Sequence, residues 1–251
     1  PQLARGAIEV AMVGDLELEP TIAAVARTLG PLASGFLIDR MFGFEQIRNG
    51  MLPDDCGLIL AADALEQVPG QPVEETRIDE VVAASEFDLT GVRAIKLLLL
   101  WRRDARREER VEQARRFVAL AAARGVLSVL EPVVRATPEE LSAGGWDEDA
   151  AIVEAARELS PLRPSLYKAQ VPRRGKGTPA ELRRAAEALG SAIVGPWVVL
   201  SQGVERDDFP TAVRAACQGG GGRRWGGVDR FDEPEPLSAP VGLQILERGF
   251  V

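Results

Sequence analysis

Apolar positions along this chain follow two spacings. Short runs of β-branched and aliphatic residues, bounded by polar or turn residues, occur at 8–13, 34–39, 57–61, 92–100, 126–131, 165–171 and 196–201, and each predicts a strand. Between them, residues 20–29, 73–85, 108–124, 147–159, 178–189 and 207–217 carry apolar or alanine positions three or four apart, with charges on the other face, which predicts helices. Thr137-Pro138-Glu139-Glu140 and Thr178-Pro179-Ala180-Glu181 each place Thr at the N-cap, Pro at the first helical position and Glu at the third. Gly125 and Gly190 read as helix stops. Strand then helix, repeated roughly every 30 to 40 residues, predicts an α/β fold of the (β/α)8 TIM-barrel type. The same alternation permits a doubly wound open sheet.

In a barrel the reactive groups project from the C-terminal ends of strands and the loops just after them. By strand order Lys96 falls on the fourth strand, Glu131 at the end of the fifth, Lys168 on the sixth and Ser201 at the end of the seventh. Composition sharpens this list. Arginine is the common cation, and Lys96, Lys168 and Lys176 are the only lysines. Two of the three stand inside apolar strand-like runs, where an ammonium is costly unless it is paired or loses its proton. A snorkelling or ion-paired lysine is the structural explanation for one such residue. Two of them with a strand-end glutamate form a set suited to imine chemistry, in which the neutral amine attacks a carbonyl and the carboxylate moves protons.

The chain has no histidine, so Ser-His and Cys-His nucleophile systems and histidine-rich zinc sites are excluded. A net charge of −8 argues against nucleic acid or an anionic membrane as partner. No apolar run is long enough for a membrane span and no signal-peptide pattern opens the chain, so cytoplasmic residence is expected. Cys56 and Cys217 read as core thiols. Arg173-Arg174-Gly175-Lys176-Gly177-Thr178 lacks the spacing of a nucleotide-binding P-loop and reads as a basic loop after the sixth strand. The charged stretch from Arg102 to Arg110 reads as a solvated helix start.

Val92-Arg93-Ala94-Ile95-Lys96-Leu97-Leu98-Leu99-Leu100-Trp101, Leu130-Glu131-Pro132, Leu166-Tyr167-Lys168 and Leu200-Ser201-Gln202-Gly203-Val204 resemble successive strands of the class I aldolases acting on tagatose 1,6-bisphosphate and sulfofructose 1-phosphate (DeoC/LacD-like). The resemblance covers about residues 30–218. It implies that Lys168 is the Schiff-base lysine, Glu131 the acid/base and Lys96 a second active-site amine. It further implies a substrate-binding role for Asp39, which ends Phe36-Leu37-Ile38-Asp39, and a phosphate-binding turn at Ser201 and Gly203. The implied activity is that of a lyase. It would cleave a phosphorylated ketose, or its sulfonated analogue, to dihydroxyacetone phosphate and an aldehyde, without a metal or other cofactor.

The pattern departs from the family at both ends. The first βα unit looks shortened, and after Gly220 the barrel-closing eighth strand is replaced by Gly221-Gly222-Arg223-Arg224-Trp225 and an acidic tail, as a reading-frame change would produce. The expected layout is therefore an aldolase-like barrel over 1–220, incomplete at its first and eighth units, with an atypical tail over 221–251. Open strand edges would favour a homo-oligomer. The competing expectation is a catalytically inactive, truncated or frameshifted homologue.

Overall fold

The computed structural model describes residues 15–66, 73–201, 203–219 and 243–245. In chain order the elements are α1 (Asp15–Leu29), β1 (Gly35–Ile38), α2 (Phe44–Arg48), β2 (Gly57–Ala61), β3 (Asp63–Glu66), β4 (Glu75–Ile78), α3 (Glu80–Ala83), β5 (Val92–Trp101) and α4 (Arg107–Ala123). They continue with β6 (Leu127–Val134), α5 (Pro138–Ala143), α6 (Glu148–Leu159), β7 (Leu166–Ala169), α7 (Pro179–Ala192), β8 (Trp197–Val199), α8 (Phe209–Gln218) and β9 (Leu243–Ile245). The expected first strand at 8–13 lies outside the described residues, as does the expected tail apart from β9. The chain divides into two compact units, one of residues 1–74, 78–96 and 233–251, the other of residues 75–77 and 97–232.

In the first unit the strand order is β5-β2-β1-β9. β1 runs parallel to β2, with Gly35 opposite Gly57 and Ile38 opposite Leu60, and parallel to β9 on its other edge. β2 pairs in parallel with the first half of β5, with a register shift between Leu58 and Ile59. All four residues of β1 are buried, as expected of a parallel strand covered on both faces.

In the second unit the order is β8-β7-β6-β5, with β6 and β7 parallel through Val129–Leu166 and Leu130–Tyr167, and β7 and β8 parallel through Tyr167–Trp197 to Ala169–Val199. Leu97, Leu98, Leu99 and Leu100 are almost wholly buried. Burial of each such side chain contributes about 2 kcal/mol.

Thr137 and Thr178 cap α5 and α7 through complete capping boxes with Glu140 and Glu181, as the sequence predicts. Gly125 follows α4 with φ +68°, the left-handed conformation that ends a helix. Residues 73–85 depart from expectation: the segment is strand β4 followed by the single turn α3. Tertiary partners outweigh its helical spacing. The Gln113 side chain donates to the Thr76 carbonyl at 3.0 Å, Thr76 Oγ1 accepts from Leu100 N, and the Glu75 carboxylate receives the Arg110 guanidinium at 2.8 Å.

Arg110 corrects a second expectation, since it is buried rather than solvated and is shared between Glu75 and Asp104. Cys217 is exposed where a core thiol is expected, while Cys56 is buried.

Gly190 corrects a third, because α7 continues through it to Ala192. A Cβ there would stand 2.1 Å from the Gly219 carbonyl oxygen, and one on Gly219 would stand 2.5 Å from the Ala186 carbonyl carbon. The absent side chains let the backbones of α7 and α8 meet, beside the apolar contact of Leu182, Ala186 and Ala215. Gly190→Ala is expected to lower stability by about 1–3 kcal/mol in urea denaturation through overpacking. Ser191→Ala, at the exposed neighbouring position, should stay within about 0.5 kcal/mol of the parent.

Candidate functional site

The site is built on the pairing of β6 with β7. Ser128 and Ser165 exchange side-chain bonds with each other's backbone at the start of the pair: Ser128 N donates to Ser165 Oγ at 3.1 Å and Ser165 N to Ser128 Oγ at 2.9 Å. At the far end Gln170 Oε1 accepts from Val134 N at 2.7 Å. Polar clamps at both ends hold a register in which Leu130 faces Tyr167, so Glu131 comes alongside Lys168.

Successive strand residues point to opposite faces of a sheet, which separates Tyr167 from Lys168. Burial, with a smaller contribution from the Glu158 carboxylate of α6, pushes the Tyr167 phenol far above its usual range. Tyr167 thus belongs to the face covered by α6, and Lys168 to the opposite one. There Lys168 Nζ donates to Glu131 Oε2 at 2.7 Å, with the two side chains 1% and 0% exposed. A snorkelling lysine would carry its ammonium into water, and this one does not. Transfer of a proton along that contact would leave a neutral amine beside a neutral acid, a route to removing two buried charges.

Lys96 belongs to the first unit. Its Nζ lies 3.1 Å from Asp63 Oδ1, with both side chains almost fully buried. The Ala62 N to Lys96 O bond of 2.8 Å places Asp63 beside it. Sequence reading missed Asp63; its only signal was a charged residue directly after the apolar run of β2. Asp39, in the same unit, follows β1 and turns back on its own chain, with Oδ1 accepting from Met41 N at 2.8 Å.

Ser201 and Gly203 belong to the second unit. The Leu200 N to Ala169 O bond of 2.8 Å ties this segment to the residue after Lys168, and Ser201 follows at an exposed turn closed by Val204 N to Ser201 O at 3.2 Å. Gly203 has φ +76°. The basic loop packs against the same turn: Gly175 has φ +74°, and a Cβ on it would meet Val204 at 2.8 Å. Lys168 and Glu131 are thus brought into direct contact, and the Ser201 turn is tied to the end of the lysine's strand. Among the described residues no group of three or more Cys, Asp or Glu side chains is arranged to hold a metal ion. No helix among them is long and apolar enough to cross a membrane.

Parallel strands alternating with helices define an α/β protein, and within it a buried lysine and glutamate stand side by side on neighbouring strands. The sequence profile of the DeoC/LacD aldolases matches residues 6–233, and the chain belongs to that family. Among solved structures it is similar to an archaeal fructose-1,6-bisphosphate aldolase whose catalytic lysine is covalently bound to a carbinolamine intermediate. That match has a TM-score of 0.53 at 16% identity over 80% of this chain and 72% of the other. A fructose-bisphosphate aldolase from Slackia heliotrinireducens also matches with a TM-score of 0.53, at 18% identity over 80% of this chain and 62% of the other.

Glu131→Gln is expected to cost about 3–5 kcal/mol in chemical denaturation, because it removes the carboxylate to which the buried Lys168 ammonium donates. The double variant with Lys168→Met should lose clearly less than the sum of the two single losses. Additive losses would show that the two groups are energetically independent.

Proposed function

We propose that this chain is a class I aldolase that cleaves a phosphorylated ketose, of the tagatose 1,6-bisphosphate or sulfofructose 1-phosphate type, to dihydroxyacetone phosphate and an aldehyde. The observation that carries the reading is the 2.7 Å contact between Lys168 Nζ and Glu131 Oε2, deep within a chain of the DeoC/LacD family.

In this reading the Lys168 ammonium first passes a proton to Glu131. The free amine attacks the C2 carbonyl and the oxygen gains a proton, giving a carbinolamine. Glu131 protonates the departing hydroxyl, and water leaves as the iminium forms. The iminium then draws in the electron pair of the C3–C4 bond while the C4 hydroxyl gives its proton to the Glu131 carboxylate, which releases the aldehyde and leaves an enamine. Glu131 returns that proton to C3, and addition of water to the iminium frees dihydroxyacetone phosphate and restores the amine.

Lys96, held by Asp63, is assigned as a second amine of the active site, and Asp39 as a substrate-binding carboxylate. Ser201 and Gly203 are assigned to the phosphate beside the reacting carbonyl, where a small hydroxyl and a residue without a side chain let backbone N–H groups approach closely. Covalent amine catalysis of this kind uses no metal ion.

Borohydride reduction in the presence of dihydroxyacetone phosphate should fix a covalent adduct on Lys168, seen as an added mass on its peptide. The adduct should vanish in Lys168→Met, and Glu131→Gln should slow turnover by about 10²–10⁴-fold. A well-folded parent protein that traps nothing would mark the chain as an inactive homologue.

A further inference from the structure

Two arginines lie just beyond the strands of the lysine–glutamate site. Arg102 directly follows β5 and Arg135 directly follows β6, and the Arg135 N to Trp101 O bond of 2.9 Å sets the two positions side by side. The Nε atoms of both are shut off from solvent and have no hydrogen-bond partner among the described residues. Among the described residues neither guanidinium is in an ion pair.

The neighbouring carboxylates are engaged elsewhere. Asp104 is held by Arg110 at 2.6 Å, and Glu148 by Arg174 at 2.7 Å. Burial holds the Arg135 guanidinium below its usual range, and the Arg102 charge adds to the effect; Glu148 opposes it and Arg174 reinforces it. An unsatisfied buried donor costs about 1–3 kcal/mol, and two cations set together add repulsion. A fold keeps such an arrangement readily where an anion is to be met.

The direction of the two side chains agrees. Trp101 donates to Glu158 on α6 at 2.6 Å and Arg103 stacks on the Trp101 ring, so residues 101 and 103 turn toward the helices. Arg102, between them, turns the other way. Residues four apart on a strand share a face, so Arg135 lies on the face of Glu131. The rise from Glu131 to Arg135 is about 13 Å, a span that a six-carbon chain with a terminal anion, joined to Lys168 at its carbonyl, covers together with the length of an arginine.

We infer that Arg102 and Arg135 form a subsite for a tetrahedral oxyanion, phosphate or sulfonate, at the end of the ketose remote from the carbonyl. This rests on the aldolase reading for its place in the substrate, and on the two guanidinium groups for its existence. Arginine suits the task, since its planar fork binds such oxygens in pairs.

Methyl phosphate and methanesulfonate, titrated separately into the full chain by calorimetry, test it. Arg102→Gln and Arg135→Gln should each weaken binding at one site at least tenfold while any methyl phosphate binding at the Ser201 turn stays unchanged, and the probe that loses more affinity identifies the anion. Both variants should melt at or above the parent temperature in anion-free buffer, and should still form the dihydroxyacetone phosphate adduct on Lys168, because that product lacks the remote anion. Parent-like anion binding in both variants overturns the subsite even if the adduct forms. Arginine-dependent binding without any adduct retains the subsite and overturns the aldolase reading.

Discussion

The buried contact of Lys168 with Glu131 imposes the strictest demands on the second unit. Two full charges removed from water are tolerable only at short range and in a fixed geometry, and here they meet at 2.7 Å with almost no exposure. That requirement reaches into the backbone. A slip of one residue between β6 and β7 would turn one partner to the other face of the sheet, so the register must be pinned. The serine pair at one end and Gln170 at the other do this with side-chain-to-backbone bonds, independent of the apolar packing around them.

The two cation types are used differently across the molecule. Arginine supplies the multivalent pairs: Arg110 spans Glu75 and Asp104, and Arg107 spans Glu154 and Glu158 while lying over the Trp101 ring. These forks fix where α4 and α6 sit against their strands, a job for a rigid, permanently charged group. Two of the three lysines are buried against carboxylates, Lys168 with Glu131 and Lys96 with Asp63. The group able to give up its proton thus occupies the buried pairs, and the permanently charged one holds the networks that fix the helices.

Legibility in the sequence differs by element. The long aliphatic run ending in Trp101, the strand around Lys168 and the two threonine-capped helices could be read directly, because continuous apolar runs and capping boxes are local signals. The segment around Glu75 could not, because its extended form depends on Arg110, Gln113 and Leu100, all distant in the chain. Gly190 looked like a stop for the same reason: nothing near it in sequence announces that Gly219 lies against its backbone.

By itself the sequence determined the alternation of strands and helices, the scarcity of lysine, the absence of histidine and the placing of two lysines in apolar strands, since these are matters of order and composition. Tertiary structure alone decided that Lys168 meets Glu131, that Lys96 is held by Asp63, and that Arg102 and Arg135 stand together while nearby carboxylates are bound to other arginines. Pairing of charges is set by strand register and by distance in space, and neither is written in the spacing of residues along the chain.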